Sequence, residues 1–166
     1  MRKVKLLVVD DEEEIREIII DEVKRRQFNI ECVGAENGKV AFELIKNSKF
    51  DIVLSDFQMP LMNGIDLIKM TRDHGFNLPF IFLTGHNEDS IVEGAWKYKA
   101  VEFIQKPFDI QNLLELVSLI GEIGSELNLW EKEKEIQNAL SELIEKYAKN
   151  STVFKLKIIS RNKKIV

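Results

Sequence analysis

One cysteine, Cys32, stands in the 166 residues, so no intrachain disulfide can form and a reducing cytoplasm suits the chain. It lies in a largely apolar stretch and reads as an inert core thiol. No apolar run approaches the ~20 residues that a bilayer-spanning helix needs, so a membrane span is excluded as a reading. Arg2 and Lys3 precede an apolar stretch, but it ends at two aspartates without a small-residue cleavage site. That stretch reads as a buried strand, not a signal peptide. Acids are missing altogether from Lys146 onward, where seven Lys or Arg stand.

Residues 1–122 carry 15 basic and 22 acidic side chains, and residues 123–166 carry 9 and 6. This change of sign divides the chain into a domain, 1–122, and an extension, 123–166. A length of 166 residues suits one domain with a modest appendage. With 45% hydrophobic and 31% charged residues, the composition is that of a folded globular protein.

Apolar periodicity supplies the elements. Lys5–Val9 is a short apolar run, as in a strand covered on both faces. Ile15, Ile18, Ile19 and Val23 follow at helical spacing behind first-turn acids, which favour the helix dipole. Phe28–Ala35 predicts a second strand, and Asn37-Gly38 turns the chain into a helix facing inward through Ala41, Leu44 and Ile45. Ile52–Leu54, Pro79–Leu83 and Val101–Ile104 predict three more strands. Helices are expected at Gly64–His74, at Glu88–Tyr98, and along Leu113, Leu116, Val117 and Ile120. Five βα units predict an α/β fold: a five-stranded parallel sheet, doubly wound, with right-handed crossovers.

Such sheets bind ligands beyond the carboxyl ends of their strands. With strand order 2-1-3-4-5, Asp10 and Asp11 after strand one lie beside Asp56 after strand three. Three crowded carboxylates repel and need a counter-charge, which a hard divalent ion with oxygen ligands, Mg²⁺, supplies. Thr84 ends strand four, and Lys106 follows strand five. Each has a plain structural reading alone: an Asp-Asp pair caps a helix, and a Lys before Pro is a solvated charge. Their joint placement at four strand ends points to one site.

On these residues the sequence resembles the receiver domains of bacterial response regulators, over about residues 3–122. The matching stretches are Leu6-Leu7-Val8-Val9-Asp10-Asp11, Asp56-Phe57-Gln58-Met59-Pro60-Leu61-Met62-Asn63-Gly64, Leu83-Thr84-Gly85 and Phe103-Ile104-Gln105-Lys106-Pro107-Phe108. The resemblance implies a flavodoxin-like fold and a phosphoryl group accepted by Asp56 from a histidine kinase or phosphotransfer protein. It implies Mg²⁺ held by Asp11, Asp56 and the Gln58 main-chain carbonyl, with Asp10 acting largely through water. Lys106 shares the phosphoryl charge, Thr84 bonds a phosphoryl oxygen, and Phe103 fills the space that Thr84 vacates, forming a switch. The plain alternative for Phe103 is a permanent core ring. Enzymatic activity is expected to extend no further than self-catalysed phosphorylation and dephosphorylation. Gln58 and His86 stand where the family tunes acyl-phosphate lifetime, and Lys99-Ala100 departs from the family's frequent Gly-Ala.

In the extension, Ile123, Leu127 and Trp130 continue a seam that breaks near Glu131–Glu135 and resumes at Ile136, Leu140, Leu143 and Tyr147. Gly121 and Gly124 weaken a single continuous helix, so a second helix is expected over about Glu126–Lys149. Phe154, Leu156 and Ile158 alternate with lysines as in a short strand. The expected output is altered protein binding, with a homodimer among the open assemblies. The alternative is a DNA-binding transcriptional regulator with a minimal or truncated output region, although no helix-turn-helix is recognisable.

Overall fold

The computed structural model describes residues 2–85, 98, 100 and 102–127. Five strands run parallel in the order β2-β1-β3-β4-β5: β1 (Val4–Val9), β2 (Ile30–Ala35), β3 (Ile52–Asp56), β4 (Phe80–Thr84) and β5 (Glu102–Gln105). The described helices are α1 (Glu13–Arg25), α2 (Gly38–Asn47), α3 (Gly64–Asp73) and α4 (Ile110–Leu127). The expected sheet and strand order are therefore present.

Every residue of β3 and β4 is buried, and in β1 only Lys5 is partly exposed. These strands read as short apolar runs because helices cover both faces. Leu7, Val9, Val53, Phe80 and Phe82 join Ala41, Phe42 and Ile45 of α2 and Leu67 and Ile68 of α3 in one core. Across the sheet, α4 packs on β1 and touches α1. Asn37 and Asn63 are N-caps whose side chains accept from Val40 N at 3.0 Å and Asp66 N at 2.9 Å.

Strand boundaries differ from expectation by one or two residues, and the shifts matter for the site. β3 runs on to Asp56, and β4 reaches Thr84, so both residues sit in the sheet itself. Phe28 lies outside β2; its N–H bonds to Val23 O, completing the exit from α1. Cys32 lies within β2, half-buried, its thiol pushed up to about 11 chiefly by burial, as suits an inert thiol.

Two glycines are fixed by close approach. A Cβ at Gly64 would stand 2.7 Å from Phe82 Cε1 and 2.8 Å from the Asp56 carbonyl oxygen. A Cβ at Gly121 would overlap Val4 Cγ1, which explains a glycine inside α4 despite its poor helix propensity. The helix runs unbroken through Gly121 and Gly124 to Leu127, contrary to the expected weakening, because Gly121 lets it lie flat on β1. Gly121→Ala is therefore expected to destabilise by about 1–2 kcal/mol in urea denaturation, overpacking outweighing the gain in propensity. A net increase in stability would show that Val4 yields freely. His86, Lys99, the expected helix before Tyr98, and the expected helix and strand beyond Leu127 lie outside the described residues.

Candidate functional site

Parallel pairing brings the four strand ends together. Val9 pairs with Ser55, Asp56 with Leu83, and Thr84 with Gln105. Beyond these pairs, Asp10 N donates to Ala35 O at 3.2 Å and Lys106 N to Thr84 O at 2.7 Å. The backbone ladder thus delivers Asp10, Asp56, Thr84 and Lys106 to one edge of the sheet.

The Lys106 ammonium is the hub of the charged groups. Its Nζ lies 2.7 Å from Asp56 Oδ1, 3.2 Å from Asp10 Oδ2 and 3.8 Å from Glu12 Oε1. Its side chain keeps 23% of its surface exposed, whereas Asp10 is 0% exposed and Asp56 only 7%. The second oxygens are also held: Asp56 Oδ2 accepts from Gln58 N at 3.1 Å, and Asp10 Oδ1 from Glu12 N at 2.9 Å. This last bond goes to the N–H of Glu12, the N-cap residue of α1, and no side chain caps the first turn, so the Asp pair does not cap the helix as in the plain reading. Glu12 was not singled out from sequence; an acid directly after the pair, at the helix start, is the available signal.

Asp11 is exposed beside this cluster, and among the described residues its carboxylate makes no ion pair. The Gln58 side chain is exposed as well. Thr84 is buried, and among the described residues its hydroxyl makes no hydrogen bond. Phe103 is 2% exposed, with its ring stacked on Phe82 at 5.3 Å and edge-on to Phe57 at 6.2 Å. Its present position is that of an inward, packed ring. The Lys106–Pro107 peptide is cis.

Electrostatics show an excess of negative charge. Burial raises the Asp56 carboxyl above its usual range, Lys106 opposes, Asp10 adds to the rise, and the net direction is upward. For Lys106, burial pulls the ammonium down, but Asp56 and Asp10 outweigh it and the net shift is also upward. A simple ion pair would lower the acid while raising the base. Only the base behaves so here, because burial and a second carboxylate dominate at Asp56. Three carboxylates, those of Asp10, Asp56 and Glu12, face one ammonium, so negative charge is in excess at the site.

A carboxylate at the end of the central strand, a lysine in contact with it and an adjoining acid pair are thus assembled on one doubly wound sheet. The sequence pattern of the response regulator receiver domain matches residues 6–118. The chain belongs to the response regulator receiver domain family.

Receiver domains are phosphorylated components of two-component systems, with Mg²⁺ a general feature of the family. This receiver domain is 32% identical over 138 residues to Regulatory protein AtoC of Escherichia coli (strain K12), covering 82% of the chain and 29% of that protein. It is 33% identical over 110 residues to the DNA-binding transcriptional regulator NtrC of the same strain, covering 66% of the chain and 23% of NtrC. The chain thus spans roughly a quarter of the length of these curated relatives. Among solved structures, the Francisella response regulator 1452 receiver domain matches with a TM-score of 0.66 and 30% identity, covering 73% of this chain and 98% of that one. The receiver domain of AraT from Geobacillus stearothermophilus matches at 0.65 and 35%, covering 74% and 96%. Among the described residues no helix is long and apolar enough to cross a membrane.

Proposed function

We propose that this receiver domain is a phosphorylation-dependent switch that accepts a phosphoryl group on Asp56 from the phosphohistidine of a histidine kinase or phosphotransfer protein and signals through altered protein binding. The observation that carries the reading is the 2.7 Å contact between Lys106 Nζ and Asp56 Oδ1, with Asp10 3.2 Å from the same ammonium. Receiver domains as a family interact with such kinases and phosphotransfer proteins.

The donor set suits Mg²⁺. The nearest oxygens of Asp10 and Asp56 lie within about 6 Å of each other, since both touch one ammonium. Asp11 and the Gln58 main-chain carbonyl add two more oxygens, all hard donors. Among the described residues no three His, Cys, Asp or Glu side chains are grouped so as to hold a metal ion by themselves. Mg²⁺ does not require such a group, because it keeps several waters and takes only one or two carboxylates. Asp11, Asp56 and the Gln58 carbonyl would hold it, with Asp10 acting through water. Bound there, it supplies further positive charge and draws an anionic phosphoryl group toward Asp56.

The chain's own groups do the rest. An Asp56 oxygen forms the new P–O bond as the P–N bond to histidine breaks, and the electron pair leaves with the imidazole nitrogen. Such transfer depends mostly on alignment and charge neutralisation, which Lys106 and the backbone N–H of Gln58 provide. On this reading the Thr84 hydroxyl bonds a phosphoryl oxygen, and movement of Thr84 toward it is the step that biases Phe103. Because negative charge is in excess at the site, labelling by acetyl phosphate is expected to require Mg²⁺. Chelation should reduce labelling at least tenfold, as read by intact mass; undiminished labelling in chelator would remove the ion from the reading.

A second reading is a DNA-binding transcriptional regulator with a minimal or truncated output region. The relationship to NtrC, named a DNA-binding transcriptional regulator, favours it, and the acid-free basic run from Lys146 is the segment that would meet phosphates.

A further inference from the structure

Asp10 is held through its side chain by Lys106 and Glu12, but its main-chain carbonyl has a different partner. β1 ends at Val9, and among the described residues no backbone N–H bonds to the Asp10 carbonyl. A carbonyl left without a donor at a buried position is costly. Arg16, the fourth residue of α1, supplies the donor: its Nη1 lies 2.7 Å from Asp10 O. This is the length of a charge-assisted bond. Among the described residues Arg16 makes no ion pair, so its guanidinium is committed to that one carbonyl.

The stem of Arg16 is seated as well. It crosses the face of β2 at Gly34, where a Cβ would stand 3.7 Å from Arg16 Cδ and 3.8 Å from Nε. Gly34 pairs with Val8, two residues before Asp10, so the arginine passes over the neighbouring strand before reaching the loop. A methyl group fits in that space at ordinary contact distance. A longer side chain meets the arginine stem.

We infer that Arg16 is a positioning residue for the acid pair: by gripping the Asp10 carbonyl it fixes the Asp10–Asp11 peptide plane, and through it the direction in which Asp11 presents its carboxylate to Mg²⁺. The inference rests on the reading of Asp11 and Asp56 as Mg²⁺ ligands. Neighbours that orient ligands without touching the ion commonly change affinity by roughly 10–100-fold when removed. Arg16 reaches its target through a peptide rather than a ligand side chain, which favours the lower end of that range.

The test is Mg²⁺ titration calorimetry on the full chain, paired with thermal melting in chelator. Arg16→Met keeps the aliphatic stem and removes the donor. It is expected to weaken Mg²⁺ binding about tenfold and, because the Asp10 carbonyl loses its donor, to lower the metal-free melting temperature modestly with the transition still cooperative. Gly34→Leu, with Arg16 intact, is expected to weaken binding in the same direction by displacing the stem, while Gly34→Ala binds as the wild type does. The double variant Arg16→Met with Gly34→Leu is expected to be no weaker than Arg16→Met alone.

An unchanged dissociation constant in Arg16→Met overturns the assignment. If Arg16→Met instead loses its cooperative transition without metal, Gly34→Leu decides: weaker binding at wild-type metal-free stability supports the grip, and unchanged binding overturns it. A wild-type chain that binds no Mg²⁺ overturns the ion reading itself, a result distinct from equal binding by wild type and variants.

Discussion

Asp56→Asn is expected to take up no phosphoryl group from acetyl phosphate and Mg²⁺, measured as intact mass against the wild-type chain. The amide keeps the shape of the carboxylate and an oxygen for Lys106, but loses the anionic nucleophile. Asp10 is wholly buried and engaged at both oxygens, by Glu12 N and by Lys106, so it does not serve as a substitute acceptor. Undiminished labelling of Asp56→Asn would move the acceptor elsewhere. The same variant has a second, opposite signature. Burial, reinforced by Asp10, raises the Asp56 carboxyl above its usual range. A raised acid binds its proton more tightly in the folded state, so ionising it costs stability as pH climbs through and above that range. Metal-free Asp56→Asn is therefore expected to melt no lower than the wild type at neutral pH. Any advantage fades as acid protonates Asp56 in the wild type.

Lys106→Met is expected to act in the other direction. Its ammonium faces Asp56, Asp10 and Glu12, and its removal leaves the first two carboxylates buried without their cation. Breaking a buried pair from one side costs about 3–5 kcal/mol, and the partial exposure of Lys106 places this case near the lower end. Urea denaturation in chelator at neutral pH should show a loss of about 3 kcal/mol, with recovery on acidification or on adding Mg²⁺. Labelling by acetyl phosphate should slow by about 10²–10³, the usual effect of removing one preorganised charge-stabilising group. A variant as stable and as quickly labelled as the wild type would leave Lys106 as a bystander.

Why the main features were readable from sequence is a matter of geometry. In a parallel sheet with short crossovers, residues that end successive strands must meet at one edge, so Asp10, Asp56, Thr84 and Lys106 could be grouped without coordinates. Central strands buried on both faces left short apolar runs at Leu6–Val9, Ile52–Leu54 and Phe80–Leu83. Strand ends were harder to read. Ser55 and Asp56 carry no apolar signal, yet they extend β3 because Ser55 pairs with Phe82 and Asp56 with Leu83. Long-range contacts of long polar side chains were not readable either. Glu12 and Arg16 look like ordinary polar positions at the start of α1, and only their reach to Lys106 and Asp10 O distinguishes them. Arg72 is a third case: its guanidinium donates to the carbonyls of Phe76, Leu78 and Tyr98, and desolvation pulls its pKa down to about 10. Gly121 read as a helix weakener because its partner, Val4, lies at the opposite end of the domain sequence.

The position of Lys106 in the sheet has a bearing on how the site is lost. Asp56 ends the inner strand β3 and Asp10 follows the inner strand β1, but Lys106 follows β5, an edge strand that among the described residues ladders with β4 alone. Edge elements open locally at lower free energy than the centre of a sheet. Release of β5 alone would carry the ammonium away while leaving the acids in place and the rest of the sheet paired. On the proposed reading, competence to take up a phosphoryl group would be set by the grip of one short strand, and warming is expected to extinguish it before the fold melts.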